Sequence, residues 1–292
     1  MAKSKNGGSR AFIRGRIGSD VYSVGKNGQG ARQQVVRSLA VQVSNPRTQS
    51  QMFGRMLMST VMQAVSALSP IIDHSFAGLP SGQPSISEFI RRNYALLKAE
   101  AIAHPDGNAA FNFSKYQEKG IQGGKYVISD GQLTLPAGVR GAGEYIIIEL
   151  PADNATVGGL KSVMGDSEDR YFTIVLIASV GGCFYLRARL KSGLSDSTSI
   201  TAENVASLFE FEGNTAADVV FNSNTIYIQM PAAGDFSGTF MCSGLIMSDK
   251  VNGSWEHNAC TLDTEDYGMR SADDALATYP TGTAQFLNGG DL

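Results

Sequence analysis

The feature that most limits how this chain can fold is a change of hydrophobic period near residue 111. Before it, apolar residues recur at helical spacing. Phe53, Met56, Leu57, Val61, Ala64, Val65 and Leu68 fall at i, i+3, i+4 intervals and predict one amphipathic helix. Asn45-Pro46 supplies an N-cap and a first-turn proline for its start, and Ser69-Pro70 is expected to end it. A second helix is predicted from Ser85 or Ser87 through Phe89, Ile90, Tyr94, Leu97 and Ile102, stopping at His104-Pro105. After residue 111 the pattern is that of short strands rich in Ile, Val, Tyr and Phe. They are expected at Glu144–Leu150, Tyr171–Ala178, Cys183–Leu190, Thr225–Met230 and Thr239–Met247, with one short helical turn at Ala202–Leu208. Ser129-Asp130-Gly131 between Lys125–Ile128 and Gln132–Leu135 reads as a hairpin turn. A run of helices followed by a run of strands predicts an α+β fold whose β part is an antiparallel sandwich.

Residues 1–44 belong to neither pattern. Short strand-like runs are broken by Gly, and Asn27-Gly28 suits a tight hairpin. Val35–Val43 reads as a further strand. The expected organisation is an extended basic arm (1–44), a helical hairpin (45–110), a β-rich domain (111–262) and a tail (263–292). Charge separates the ends. Residues 1–60 carry ten Lys/Arg against one acid, Asp20, and the remaining 232 carry fourteen against twenty-six. A basic arm on an acidic body points to docking on an acidic surface, either another subunit or nucleic acid. Its candidate contact residues are Arg10, Arg14, Arg16, Lys26, Arg32, Arg37, Arg47 and Arg55. Phe12, Tyr22 and Phe53 are the aromatics among these charges, few for a protein that stacks on single strands. Protein partners are therefore favoured over nucleic acid.

Met52, Met56, Met58 and Met62 make the first helix apolar on more than one side. Adaptable Met side chains suit either a core or a surface that must repack against a neighbour. Met52, Met58 and Met62 lie partly off the main stripe, which makes Met58 and Met62 candidate partner contacts.

No constellation in the sequence supports catalysis or a cofactor. Gly25–Gly30 lacks the spacing of a phosphate or dinucleotide loop. His257 and Cys260 could serve zinc, but Cys183 and Cys242 fall in predicted strands and read as core residues. Asp73-His74-Ser75 has no nucleophile elbow to accompany it. Asp166, Glu168 and Asp169 lack the ligand spacing of an EF-hand. Three widely spaced cysteines suggest reduced thiols in a cytoplasmic setting. The first residues carry no apolar h-region, and no apolar run reaches the ~18 residues of a membrane span, so neither a secretory signal nor a membrane partner is expected.

Asn45, Pro46, Thr48 and Gln51, followed by Arg55, form an Asn-Pro-x-Thr-x-x-Gln run opening a helix. This segment resembles one found in many phage and prophage proteins. Ser248, Val251–Trp255 and the late Phe286–Gly290 look like the ends of small structural proteins from phages of gut Bacteroidales, the crAss-like group among them. The resemblance implies a non-enzymatic virion component, made in the host cytoplasm, with other virion subunits as partners. An arm and an amphipathic hairpin suit head-to-tail contacts that close into a ring, so a homo-oligomeric neck or tail subunit is expected. The alternatives are a nucleic-acid-binding protein packaged with the genome and a capsid-decorating protein.

Overall fold

The computed structural model describes residues 3–4, 13–26, 32–38, 48–73, 75–79, 83–105, 110–113, 120–152, 154–178, 182–230, 240–264 and 271–278. The chain divides into two compact units, Met1–Pro46 and Arg47–Leu292. The first holds strands β1 (Lys3–Ser4), β2 (Ile13–Ile17), β3 (Asp20–Lys26) and β4 (Arg32–Ser38), an antiparallel meander in the order β1-β2-β3-β4. The β3–β4 pairing ends at Lys26 opposite Arg32, so this hairpin is formed. Its turn, with Asn27-Gly28, lies outside the described residues.

The second unit opens with helices α1 (Gln49–Ile72) and α2 (Gln83–Ala103). Thr48 caps α1, its Oγ1 accepting from the Gln51 N–H at 3.4 Å. The expected caps, Asn45 and Pro46, lie outside the described residues. At the other end α1 runs through Pro70 instead of stopping there. Proline removes one hydrogen bond and crowds the preceding turn. Ile71 and Ile72, 3% and 0% exposed, anchor this last turn in the core and offset that cost.

The strands of this unit follow as β5 (Val127–Ser129), β6 (Val139–Ala142) and β7 (Tyr145–Glu149), then helix α3 (Val157–Met164). Next come β8 (Tyr171–Ala178), β9 (Cys183–Leu190), a 3-10 turn at Val205–Leu208, β10 (Phe209–Gly213), β11 (Asp218–Asn222) and β12 (Thr225–Gln229). The last described elements are β13 (Phe240–Val251), β14 (Ser254–His257), β15 (Cys260–Thr261), β16 (Asp263–Thr264) and helix α4 (Ala272–Thr278). The fold is α+β with a sandwich-like arrangement of antiparallel sheets. A six-stranded sheet has the order β10-β9-β8-β13-β14, with β16 also on β13. A four-stranded sheet has the order β11-β12-β7-β6.

Strand β8 explains the layering. Its run Tyr-Phe-Thr-Ile-Val-Leu-Ile-Ala is apolar at nearly every position, as a strand covered on both faces must be. Val175 and Ile177 face a core shared with α1, α2 and α4. Phe172, Ile174, Leu176 and Ala178 face a second core shared with α3, β7 and β12. Strand β13 divides in the same way, with Cys242 and Ile246 toward the helices and Leu245 and Met247 toward the second sheet. Helices, central sheet and second sheet thus form three layers around two cores. The expected boundary at 110/111 is therefore not a boundary of packing: Leu57, Leu68 and Phe89 share their core with Ile128 and Val175. The expected tail also contributes, since Ala272 and Ala275 of α4 are buried in that core.

Asp130-Gly131 does not turn a hairpin. β5 pairs with β15, Cys260 opposite Ser129, and Asp130 bridges to Phe76. Gly131 is required because a Cβ there would lie 2.1 Å from the His257 carbonyl oxygen. True two-residue turns occur at Ser223-Asn224 and at Asn252-Gly253, where Val251 pairs with Ser254. Both residues of each pair have positive φ, 47° and 65° in the first and 52° and 83° in the second, as a type I′ turn demands.

Asn93, fully buried on α2, acts as a strand partner for β5. Its side chain accepts from the Val127 N–H at 2.8 Å and donates to the Val127 carbonyl at 2.9 Å. Tyr126, next to it, packs between Phe89 and Phe111 with ring centroids 6.2 and 5.2 Å away. Its buried hydroxyl has no hydrogen-bond partner among the described residues, and burial drives its pKa upward. An unpaired buried hydroxyl is a cost. Tyr126→Phe is accordingly expected to raise the unfolding free energy by about 1 kcal/mol in chemical denaturation; a loss of stability would show that the hydroxyl is satisfied.

Both cores are built from residues of the second unit. Deleting Met1–Pro46 is therefore expected to leave the thermal midpoint close to that of the full chain, measured by circular dichroism. A clear fall would make the N-terminal sheet part of the body's stability.

Candidate interaction surfaces

The N-terminal sheet is built to be covered. Cross-strand partners share a face, and alternate residues of a strand point to opposite faces. The pairs Gly15–Tyr22 and Tyr22–Val36 put Tyr22 and Val36 on one face with Ile17 and Val24. The pairs Arg16–Val21 and Val21–Arg37 put Arg16 and Arg37 on the other. One face thus combines Ile17, Tyr22, Val24 and Val36 with Asp20 and Gln34, and the other carries two guanidinium groups beside Val21 and Val35. Ile17 and Val36 are 48% and 51% exposed. None of the described residues of this unit belongs to the buried core. A sheet this small is marginal without a covering layer.

Charge sharpens the contrast between the units. Met1–Pro46 carries eight Lys/Arg and one acid, net +7, and Arg47–Leu292 carries sixteen against twenty-six, net −10. Arg14, Lys26 and Arg32 are placed on β2, β3 and β4, with Lys26 opposite Arg32 at the turn end of the hairpin. Arg10 and Arg47 lie outside the described residues.

Helix α1 supplies a second surface. Met52 and Met56 are buried, at 1% and 0% exposure, while Met58 and Met62 are 44% and 46% exposed. The four methionines therefore divide evenly between core and surface, and Met52 falls on the core side against the sequence expectation. Met58 and Met62 are one turn apart and, with half-buried Arg55, form a stripe on the outer side of α1. Arg55 directs Nη1 toward the Met52 sulfur at 3.9 Å. By length and composition Ser50–Ile72 could cross a membrane, contrary to the absence of such a run expected from the sequence; half of its most apolar window is buried inside the protein.

The residues considered for chemistry are occupied otherwise. His257 Nδ1 lies 2.9 Å from Ser248 Oγ, a cross-strand pair in which both residues are 2% exposed. Burial pushes the thiols of Cys183, Cys242 and Cys260 up to about 12, so they stay protonated near neutral pH. Asp166 pairs with Lys161 at 3.4 Å, and His104 lies 3.7 Å from Glu100. Among the described residues no three His, Cys, Asp or Glu side chains converge as metal ligands. His74 and Phe286–Gly290 lie outside the described residues.

No family model, no curated protein and no solved structure matches the chain.

Proposed function

We propose that this protein is a non-enzymatic structural subunit of a phage particle, one that assembles with copies of itself and with other virion subunits. The observation that carries this reading is the basic N-terminal sheet, which exposes Ile17, Val35 and Val36 and places none of its described residues in a core, joined to an acidic body that holds two cores. Such a sheet gains most of its stability from whatever covers it. Charge complementarity makes the body of a neighbouring copy a fitting acceptor. Repeated head-to-tail contacts of this kind close into rings, which suits a neck or tail position. The sequence resemblance supports the virion setting.

The Arg16–Arg37 face keeps a second reading in play, a protein packaged with the genome whose arm neutralises phosphates. Sedimentation of the full chain, with and without duplex DNA, separates the two. Assembly predicts a defined oligomer that forms without DNA as concentration rises. Genome packaging predicts a monomer whose DNA affinity falls with salt at a log–log slope of about −0.9 per phosphate contacted. A monomer at every concentration that also ignores DNA overturns both.

A further inference from the structure

An open groove of about 340 Å³ lies on the helix side of the central sheet, beside the last turn of α1. Its floor is Tyr171 and Arg187. The Arg187 guanidinium lies over the rings of Tyr171 and Tyr185, 5.7 and 5.5 Å from their centroids. Its Nη1 donates to Glu212 at 3.1 Å and its Nη2 to the Pro70 carbonyl at 2.7 Å. Buried beside these ring faces, Nε has no hydrogen-bond partner among the described residues. Arg189 pairs with Glu210 along the same wall. Trp255 on β14 stands edge-on to Tyr171, ring centroids 5.5 Å apart, and is 37% exposed. Asp169 completes the rim.

This lining restricts the ligand. Each arginine is neutralised by a glutamate, and Asp169 leaves a net negative rim, so phosphates and nucleic acid are disfavoured. The face of Tyr171 is taken by Arg187, so no aromatic cage remains for a cation. What the groove offers is an exposed indole beside two ion pairs, each with donors and acceptors side by side. An indole face stacks on the apolar C–H face of a pyranose ring. A carboxylate next to a guanidinium matches neighbouring hydroxyls, one accepting and the other donating. The groove's openness suits internal units of a chain.

We propose that this groove binds a neutral oligosaccharide, with Trp255 as the stacking platform and the Arg187–Glu212 and Arg189–Glu210 pairs as hydroxyl partners. Trp255 is the only tryptophan in the chain, so tryptophan emission of the full protein reports this groove alone. The probes are maltohexaose, cellohexaose and N-acetylchitohexaose, with oligo-dT as the anionic comparison. The expected result is a saturable emission shift with at least one saccharide, unchanged by salt and not competed by oligo-dT. Calorimetry on Trp255→Ala and Glu210→Gln should show affinity reduced by about tenfold or more. Val220→Asp, on the edge strand of the other sheet, should bind like the parent chain, and the melting curve of each variant shows whether it is folded. The proposal is overturned if none of the three saccharides shifts the emission, if folded Trp255→Ala binds as tightly as the parent, or if oligo-dT competes.

Discussion

Asp249→Ala is expected to lower the unfolding free energy by about 3 kcal/mol, among the largest effects of any single polar substitution in this protein. Asp249 sits near the end of β13 and is 5% exposed. Arg170 donates to it from Nε at 2.9 Å and from Nη2 at 2.7 Å, and Ser167 Oγ donates at 2.6 Å. The Lys250 N–H adds a fourth hydrogen bond at 2.8 Å. The same Arg170 donates from Nη1 to the Met164 carbonyl at the end of α3, at 2.8 Å, where a cation is favoured by the helix dipole. One carboxylate thus ties the central sheet to α3 and the loop after it. Removing it leaves a guanidinium, one quarter exposed, without its anion. Burial alone would raise the pKa of Asp249; the hydrogen bonds from Ser167, Arg170 and Lys250 together outweigh this and hold it below the ordinary carboxylate value.

The pH dependence follows from that direction. A depressed folded-state pKa gives a contribution that is complete above the unfolded-state value, about 4, and fades as pH drops through the folded one. The parent chain should therefore lose stability below about pH 4 more steeply than Asp249→Asn, which cannot titrate there. Glu88, held down to about 2 by hydrogen bonds from Arg91 and then Arg92, titrates in the same range in both proteins, so the difference between the curves isolates Asp249. Parallel curves in urea across that range would show that the Asp249 cluster adds nothing to folding.

Much of the fold was legible because burial writes itself into period and composition. The stripe on α1 named Met56, Leu57, Val61, Ala64 and Leu68, all at 0% exposure, and the largely apolar run Tyr171–Ala178 read as a strand, which it is. The failures have local causes. Helix α3 contains Gly158 and Gly159, poor helix formers that hide it. They are there because a Cβ at residue 159 would lie 2.1 Å from the Asn154 carbonyl and one at residue 158 would lie 3.2 Å from that of Asp196. Strands β10 and β11 are half-exposed edges whose Phe-Glu-Phe-Glu and Asp-Val-Val-Phe runs are too short to stand out. Pro70 and Gly131 read as a helix stop and a turn, since tertiary packing of Ile71, Ile72 and His257 is invisible locally. For the same reason the groove could not be foreseen. Its residues come from four separate stretches, at 169–171, 187–189, 210–212 and 255, and meet only through strand pairing. The outward placement of Met58 and Met62 was legible because a single helix fixes their spacing.

On the proposed assembly, Met58→Glu with Met62→Glu is expected to weaken self-association more than Arg16→Glu with Arg37→Glu. The reason is magnitude. Burying a Met side chain completely is worth about 1.5–3 kcal/mol, and Met58 and Met62 each keep a little under half of their surface exposed in the single chain. Covering both then contributes about 1.3–2.7 kcal/mol, roughly 10- to 100-fold in the association constant. Exposed ion pairs made by Arg16 and Arg37 contribute about 0.2–1 kcal/mol each, roughly 2- to 30-fold together and centred below the methionine effect. The two losses also differ in kind. The arginine effect should shrink as salt screens it, within a Debye length of about 8 Å at physiological ionic strength, while the methionine effect should persist. Glu is about as good a helix former as Met, and neither position belongs to a core, so the monomer should stay folded with a modestly lower melting temperature. Sedimentation equilibrium of the three full-length proteins at low and high salt checks this ordering. An unchanged mass for the methionine variant would remove α1 from the interface, and a larger, salt-sensitive loss in the arginine variant would place the contact on the basic face of the N-terminal sheet instead.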